Sequence, residues 1–229
     1  DLEALEKRQA NLRKKATTKD KNAIAELELV DLALAELQAG RPARCANIPK
    51  GRERDFKNLQ LITAKPVIYV CNVEEDSAAD GNSLSAKVAE KAAAEGAQAV
   101  VISARIEEEL AQLDDSERLE YLDTLGLSEP GLNRLIRQGY DLLELITYFT
   151  AGPKEARAWT IRRGTPAPQA AGVIHTDFER GFIRAETIGY DDYTQLNGDQ
   201  GARDAGRLRQ EGKDYVVQDG DVMLFRFNV

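Results

Sequence analysis

The sequence predicts an α/β plus α+β protein made of a helical coiled-coil hairpin, a parallel sheet with helices, and a smaller β-grasp unit. Three observations support this fold class. Apolar residues recur at spacings of three and four in residues 1–39, a pattern typical of packed helices. Two short apolar runs at 67–71 and 99–102 enclose a helical segment, which indicates a βαβ unit. Short strand-like segments separated by turns fill residues 147–229.

Composition restricts the class of protein. Of the 229 residues, 42% are hydrophobic and 31% are charged, as in a packed soluble protein. No apolar run approaches the roughly 20 residues that span a bilayer, and the chain does not start with a signal peptide. Cys45 and Cys71 form neither a disulfide framework nor a metal-binding pattern. We therefore expect a cytoplasmic protein without a membrane partner.

Charge is unevenly distributed along the chain, whose net charge is −8. Residues 58–139 hold 7 basic and 15 acidic side chains, and such an acidic segment disfavours wrapping of nucleic acid. Residues 1–57 hold 13 basic and 10 acidic side chains, which allows a local phosphate contact there. We therefore expect no DNA partner, and RNA contacts only near the N-terminal end.

Residues 1–39 are predicted to form two helices. Their apolar spacing is interrupted between Thr17 and Lys21, and two heptad segments around a break predict an antiparallel hairpin or coiled coil. The predicted tip contains one acid, Asp20, and a cluster of basic side chains: Arg13, Lys14, Lys15, Lys19 and Lys21. These lysines either form a solvated helix face, as most charge runs do, or contact RNA phosphate.

The second helix is predicted to end at Gly40, before Pro42. An irregular connector follows, and residues 52–63 are predicted to form a short helix. Three apolar side chains of that helix are expected to point inward: Phe56, Leu59 and Ile62.

The central βαβ unit starts with an unbroken apolar run at 67–71, which predicts a strand buried on both faces. A helix over 83–96 and a second strand over 99–102 follow. Such a unit crosses over with right-handed connectivity, so both strands end at one edge of the sheet, where ligands bind in open α/β folds. The candidate ligand-binding residues at this edge are Asn72, Val73 and Glu75 after the first strand, and Ser103 and Ala104 after the second.

Helices are predicted to follow this unit. Residues 107–125 predict one acidic helix or a pair of helices. Pro130 and Gly131 form a helix-start signal, and the next helix is predicted over 132–146. Its apolar stripe is formed by Leu132, Leu135, Ile136, Tyr140, Leu143 and Leu145.

The remaining residues have the alternation and turns of a small sheet. Strands are predicted over 156–161, 181–188 and 222–227, with a short helix over 170–175. A tight turn at Asp219, Gly220 and Asp221 precedes the last strand. This order of strands and one short helix is typical of a β-grasp fold.

Two motifs resemble the base-recognition motifs of P-loop GTPases. Asn72 and Glu75 have the spacing of the first motif, and Ser103 followed by Ala104 is similar to the second. In the usual pattern a lysine occupies the position of Val73 and an aspartate that of Glu75. This departure resembles the YchF family, the Obg-like ATPases, whose members prefer adenine nucleotides.

The C-terminal region carries a second resemblance. The segments Val-Ile-His-Thr-Asp-Phe at 173–178 and Gly-Phe-Ile-Arg-Ala-Glu at 181–186 resemble the TGS domain, a ubiquitin-like module. The resemblance to the YchF family covers essentially the whole chain. It implies a coiled-coil hairpin over 1–46, the C-terminal half of a P-loop GTPase-type parallel sheet over 47–142, and a TGS domain over 143–229.

The resemblance implies a monomeric, ribosome-associated protein that binds and hydrolyses ATP with Mg²⁺. Asn72 would bind the adenine edge, Val73 would present its backbone to the base, and Glu75 would fail to enforce a preference for guanine. Ser103 and Ala104 would close over the base.

Part of the family pattern is missing from this sequence. No Gly-x-x-x-x-Gly-Lys-Ser/Thr phosphate-binding motif occurs, and phosphoryl transfer needs a phosphate cradle and Mg²⁺ ligands. We therefore expect an N-terminally incomplete family member that does not hydrolyse nucleotide alone. The only histidine, His175, is expected to be structural. The alternative function is a non-enzymatic RNA- or ribosome-binding module formed by the coiled coil and the TGS domain. A fragment of an aminoacyl-tRNA synthetase fits less well, because of the coil and the acidic middle.

Overall fold

The structure is a computed structural model that describes residues 1–153 and 155–228. It has a mixed α/β architecture and divides into two compact units, Asp1–Gly139 and Tyr140–Val229. The finer division of the chain at residues 46 and 142 stays a prediction. In the described part of the chain, no helix combines the length and the apolar character needed to cross a membrane.

The first unit begins with a helical hairpin formed by α1 (Leu2–Ala16) and α2 (Lys21–Gln38). The helices lie where the apolar spacing predicted them. Asp20 ends the intervening turn, and its carboxylate accepts hydrogen bonds from the first turn of α2, which is a strong N-terminal cap. The buried side chains between the helices include Leu5 and Leu29, which are 2% and 1% exposed.

The connector after the hairpin differs from the prediction. Instead of one helix over 52–63, there is a short α3 (Glu53–Lys57) and a 3₁₀ turn at Ile62–Ala64. Gln60 adopts a left-handed backbone conformation with φ of 56°, which breaks the helix. Phe56 and Leu59 are buried as expected, whereas Ile62 is 73% exposed, so the inward orientation predicted for Ile62 was wrong.

The βαβ unit is present as predicted. β1 (Ile68–Asn72) and β2 (Gln98–Ile102) are parallel neighbours, and α4 (Ser83–Ala94) connects them. Asn82 caps α4 through a reciprocal capping box with Ser85, which satisfies backbone donors at the start of the helix.

The strand β1 is not buried on both faces, which corrects the prediction. Val70 is 46% exposed and Cys71 is partly exposed. In the described part of the chain this sheet contains two strands. The apolar run has the composition of a central strand, but among the described residues a single strand, β2, flanks β1.

Three helices complete the first unit and lead into the second: α5 (Ala104–Leu110), α6 (Asp115–Thr124) and α7 (Gly131–Leu142). The acidic segment is therefore a pair of helices. The predicted helix over 132–146 ends early, because Glu144 adopts a left-handed conformation with φ of 54°. Leu145 consequently lies in a strand, and Leu132 and Ile136 of the predicted apolar stripe are about half exposed.

The second unit contains five strands and four helices in its described residues. In chain order they are β3 (Leu145–Ala151), β4 (Ala156–Arg162), α8 (Ala167–Ile174), α9 (Thr176–Arg180), β5 (Phe182–Gly189), α10 (Tyr190–Gln195), α11 (Asp199–Asp204), β6 (Arg209–Glu211) and β7 (Asp221–Phe227).

These strands form one mixed sheet in the order β4-β3-β7-β5-β6. β3 and β7 are parallel, and the other neighbouring pairs are antiparallel. Tyr148, Ile161 and Phe225 belong to its core and pack with alanines of α8. The hydroxyl of Tyr148 donates a 2.8 Å hydrogen bond to the carbonyl of Ala170, so its one polar group is satisfied in the core.

Candidate functional site

The polar segments at the ends of β1 and β2 are joined by hydrogen bonds. The side-chain Oδ1 of Asn72 accepts a 2.9 Å hydrogen bond from the amide of Ala104, and the amide of Val73 donates a 2.9 Å bond to the carbonyl of Ile102. Ala104 is the first residue of α5, so its N–H has no acceptor within the helix. Asn72 therefore satisfies a free helix donor and holds the two strand ends together.

The next acidic side chain of this edge is paired with an arginine. The Nε atom of Arg105 lies 2.7 Å from Oε1 of Glu75 and 3.8 Å from Oε1 of Glu109. The side chain of Arg105 is 74% exposed and that of Glu75 is 33% exposed. A pair this open adds little to stability, and in the structure the carboxylate of Glu75 points towards Arg105.

A tyrosine extends this polar group. The hydroxyl of Tyr121 in α6 hydrogen-bonds to the carboxylate of Glu109. That hydrogen bond, together with burial, raises the pKa of Tyr121 to about 12, so the hydroxyl keeps its proton at neutral pH. Arg105, Glu109 and Tyr121 were not predicted from the sequence as members of this group. The four-residue spacing of Arg105 and Glu109 on one helix was the available signal.

The five predicted ligand-binding residues differ in accessibility. Asn72 and Ala104 are exposed, and Val73 and Glu75 are partly exposed. Ser103 is buried, at 3% exposure, so its side chain does not reach the surface here. The structure thus brings the two predicted segments together, and the closure of Ser103 and Ala104 over a base stays a prediction.

The start of α7 packs against the end of β2 beneath this edge. The amide of Gly131 donates a 2.7 Å hydrogen bond to Oε1 of Glu107. A Cβ at Gly131 would lie 3.0 Å from Cγ2 of Ile102 and from Oε1 of Glu107. Glycine at this position therefore allows α7 to approach β2 and α5 closely.

A second polar cluster joins the hairpin connector to the βαβ unit. Glu95, which follows α4 and is 8% exposed, is bonded to Arg44 at 2.7 Å, Tyr69 at 2.8 Å and Lys91 at 2.5 Å. The hydrogen bonds from Lys91 and Tyr69 lower the pKa of Glu95 below its ordinary value. The carboxylate is therefore charged and multiply bonded at neutral pH.

The predicted basic tip lies at the turn of the hairpin. All four lysines of the prediction are exposed: Lys14, Lys15, Lys19 and Lys21. Asp20, the acid among them, accepts hydrogen bonds from the amides of Asn22 and Ala23 at 2.9 and 3.2 Å. Within the described residues these lysines form no ion pair, so the positive charge of the tip faces solvent.

Comparisons with known proteins agree with this fold. A family model described as "YchF-GTPase_C: Protein of unknown function (DUF933)" matches residues 145–228. The chain is 51% identical over its whole length to a "Ribosome-binding ATPase YchF" of Haemophilus influenzae and 48% identical to the protein of that name from Bacillus subtilis, and covers 63% of each. The solved structure of the Schizosaccharomyces pombe YchF GTPase aligns with 99% of this chain and 62% of its own, at a TM-score of 0.83 and 35% identity.

The chain belongs to the YchF family, the Obg-like ATPases. It spans 63% of the length of the curated YchF relatives named above. Both YchF relatives are named as ribosome-binding ATPases, and the S. pombe YchF structure is named as a GTPase. The elements and the strand-end hydrogen bonds described above belong to this chain, not to those relatives.

The YchF name raises the question of a metal ion, because nucleotide hydrolysis generally uses Mg²⁺. Among the described residues, no group of three or more His, Cys, Asp or Glu side chains is arranged to hold a metal ion. The side chain of His175 accepts a 3.2 Å hydrogen bond from the amide of Asp177 and caps α9, which is a structural role.

Proposed function

We propose that this chain is the base-recognition and ribosome-contacting part of a cytoplasmic, monomeric protein that binds and hydrolyses ATP on ribosomes. Residues 1–46 would act as a coiled-coil hairpin, 47–142 as the C-terminal half of the nucleotide-binding domain, and 143–229 as a TGS domain. The observation that carries the proposal is the hydrogen bond between Asn72 and Ala104, which aligns two motifs 32 residues apart at one sheet edge.

The chemistry of this edge suits adenine. With one lone pair of Oδ1 committed to Ala104, the amide orientation of Asn72 is fixed. Its Nδ2 group can donate to adenine N7, and the second lone pair of Oδ1 can accept from the N6 amino group. In this arrangement Val73 presents its backbone at the base and Ala104 covers it.

The same edge lacks the feature that selects guanine. An aspartate at the position of Glu75 would accept hydrogen bonds from guanine N1–H and N2–H₂. Glu75 is one methylene longer, and its carboxylate lies 2.7 Å from Arg105. The carboxylate is thereby turned towards a cation of its own chain, and guanine loses two charge-assisted hydrogen bonds.

Hydrolysis requires parts that this chain does not supply. The sequence has no P-loop motif, so the phosphate cradle and the Mg²⁺ ligands of the proposed ATPase would lie outside these residues. The 229 residues on their own are therefore proposed to bind the base weakly and not to hydrolyse the nucleotide.

A second candidate function is a non-enzymatic RNA- or ribosome-binding module. The net positive charge of the hairpin tip favours it, because Asp20 is the one acid among several basic side chains and accepts hydrogen bonds from the start of α2. The four exposed lysines would then contact RNA phosphate. One protein can have both this module and the adenine site. Substitutions at the hairpin tip and at the sheet edge test the two functions independently.

The adenine proposal is tested by replacing Asn72→Ala in the full-length protein that carries this chain. The variant should bind a fluorescent ATP analogue about tenfold more weakly, as expected when a base-edge contact worth ~1.4 kcal/mol is lost. Asn58→Ala, at an exposed residue elsewhere in the first unit, is the control. Unchanged affinity in Asn72→Ala, with circular dichroism showing an intact fold, would contradict the proposal.

A further inference from the structure

β4 is an edge strand of the five-stranded sheet in the described part of the chain. Its hydrogen-bond phase is fixed at both ends, where Gly152 donates to the carbonyl of Glu155 at 2.9 Å and Arg163 donates to that of Glu144 at 2.7 Å. Bonded pairs alternate in an antiparallel ladder. The odd-numbered residues of β4 therefore bond to β3, and the even-numbered residues point their amides to the open edge.

This edge is accessible and carries neither a proline nor a bulge. The even-numbered residues Ala156, Ala158, Thr160 and Arg162 are all exposed. The seven residues of β4 contain no proline, and its register with β3 runs without a bulge. Proteins commonly block an exposed edge with such features, and an edge without them is a template for another strand.

An apolar cavity of about 500 Å³ adjoins the same strand. Its lining includes Trp159 of β4, Phe178 of α9 and Phe227 of β7. The guanidinium of Arg157 lies 4.2 Å from the ring centre of Trp159. Because Arg157 and Trp159 are on the core-facing side of β4, every second side chain of an added strand would point towards this cavity.

The charge of β4 indicates the kind of strand that fits. Residues 156–163 contain three arginines, Arg157, Arg162 and Arg163, and no acidic residue. Arg157 and Arg163 form long, exposed ion pairs, with Glu155 at 3.9 Å and Asp141 at 3.7 Å respectively. Arg162 has no ion-pair partner among the described residues. On the face opposite the cavity, acidic side chains of an added strand would lie beside Arg162 and stabilise pairing, whereas basic ones there would oppose it.

We propose that the edge of β4 binds an extended, acidic segment of a partner protein by strand addition, with an apolar side chain of that segment in the adjoining cavity. A second copy of this chain fits less well. Pairing two β4 strands would bring four arginines together without a single acidic residue on either strand, and like charges across a sheet destabilise it. The surface is independent of the nucleotide site proposed above.

The probe is a blocked peptide of alternating glutamate and valine, eight residues long, added to the full-length protein. Hydrogen exchange is followed at Ala156, Ala158 and Thr160. These amides should exchange at least about tenfold more slowly with the peptide present, because they gain acceptors across the new ladder. A lysine–valine peptide of equal length should give no protection.

Two variants identify the surface. Ala158→Pro removes an N–H that points to the open edge, a position where edge strands tolerate proline, and Arg162→Glu reverses the charge beside it. Each should abolish protection by the glutamate–valine peptide, and Arg162→Glu should create protection by the lysine–valine peptide. Arg180→Glu, at an exposed residue of α9, makes the same charge change and should leave binding unchanged. If Ala158→Pro fails to fold, the comparison of Arg162→Glu with Arg180→Glu still tests whether the peptide binds at the edge of β4.

Three outcomes would overturn the proposal. The first is the absence of protection by the glutamate–valine peptide in the unmodified protein. The second is concentration-dependent protection without any peptide, which would assign the edge to a second copy of the chain. The third is tight binding of poly(U) RNA that survives Ala158→Pro but not Arg162→Glu, with no peptide binding. It would assign the arginines to phosphate contacts.

Discussion

Glu75 and Arg105, 30 positions apart in the sequence, form an ion pair in which the guanidinium Nε lies 2.7 Å from the carboxylate. The two residues follow β1 and β2, so the pair exists because the parallel strands end side by side. A carboxylate oriented towards an arginine of its own chain has to turn away from that arginine before it can accept both N–H groups of guanine. The pair thus gives a physical reason for the base preference proposed here.

Replacing Arg105→Ala should shift the base preference towards guanine. With the cation gone, Glu75 is free to accept from guanine, and we expect the ratio of ATP to GTP affinity in the full-length protein to fall about fivefold. Competition titrations with both nucleotides measure this ratio. Arg105→Lys keeps the charge and should stay close to the original ratio. An unchanged ratio in Arg105→Ala would show that the ion pair does not control selectivity.

The 229-residue chain by itself should not hydrolyse ATP or GTP. The sequence contains no P-loop motif, and its described residues provide no cluster for a metal ion. A phosphate-release assay with purified chain should give the buffer background. Release above background that disappears in Asn72→Ala would contradict this prediction.

The hairpin tip should contribute salt-sensitive affinity for ribosomes or RNA. Replacing Lys14, Lys15, Lys19 and Lys21 with glutamate should reduce co-pelleting with ribosomes at low salt. The remaining binding should depend less on salt, because each lysine–phosphate contact releases counterions from the RNA and these contacts would be lost.

The matched control for the tip places the same four charge reversals at exposed lysines elsewhere in the first unit: Lys50, Lys57, Lys65 and Lys87. This control should retain co-pelleting. Equal binding of the tip variant and the unmodified protein at low salt would show that the tip is only a solvated helix face.

Glu95 should make the stability of the first unit depend on pH. Hydrogen bonds from Lys91 and Tyr69 lower the pKa of Glu95 in the folded state. A lowered folded pKa stabilises the fold above the unfolded pKa, and this contribution is lost as pH falls through the folded pKa. We expect Glu95→Gln to lower Tm at pH 7 and to reduce the further loss of Tm on acidification below pH ~4.5.

Glu90→Gln, at an exposed residue of α4, the helix that ends just before Glu95, is the control for this measurement. Thermal unfolding of both variants should be followed at several pH values between neutral and acidic. If Glu95→Gln and Glu90→Gln have the same pH profile, the cluster of Glu95 with Arg44 does not stabilise the unit.

Local patterns in the sequence predicted the elements that position the site. The hairpin break near Thr17 and the two strands around α4 follow from apolar spacing, and Asn72 and Ala104 could be brought together because parallel strands end at a common edge. Such patterns depend on neighbouring residues in the chain, which is why they could be recognised without coordinates.

The remaining features depend on packing between distant segments. The exposure of Val70 depends on which segments pack over the faces of β1, not on the residues of β1 itself. The burial of Ser103 and the partner of Glu75 depend on how α5 leaves the sheet. The short helices α10 and α11 and the three-residue β6 were missed because elements of this length have no complete hydrophobic period.

The most direct test of the central claim is calorimetric titration of the full-length protein with ATP and GTP, before and after Glu75→Asp. ATP should bind at least as tightly as GTP, and the shorter carboxylate should shift the preference towards GTP by restoring two guanine hydrogen bonds. GTP binding about tenfold tighter than ATP in the unmodified protein, a difference of ~1.4 kcal/mol, would contradict the assignment of Asn72, Ala104 and Glu75 to an adenine site.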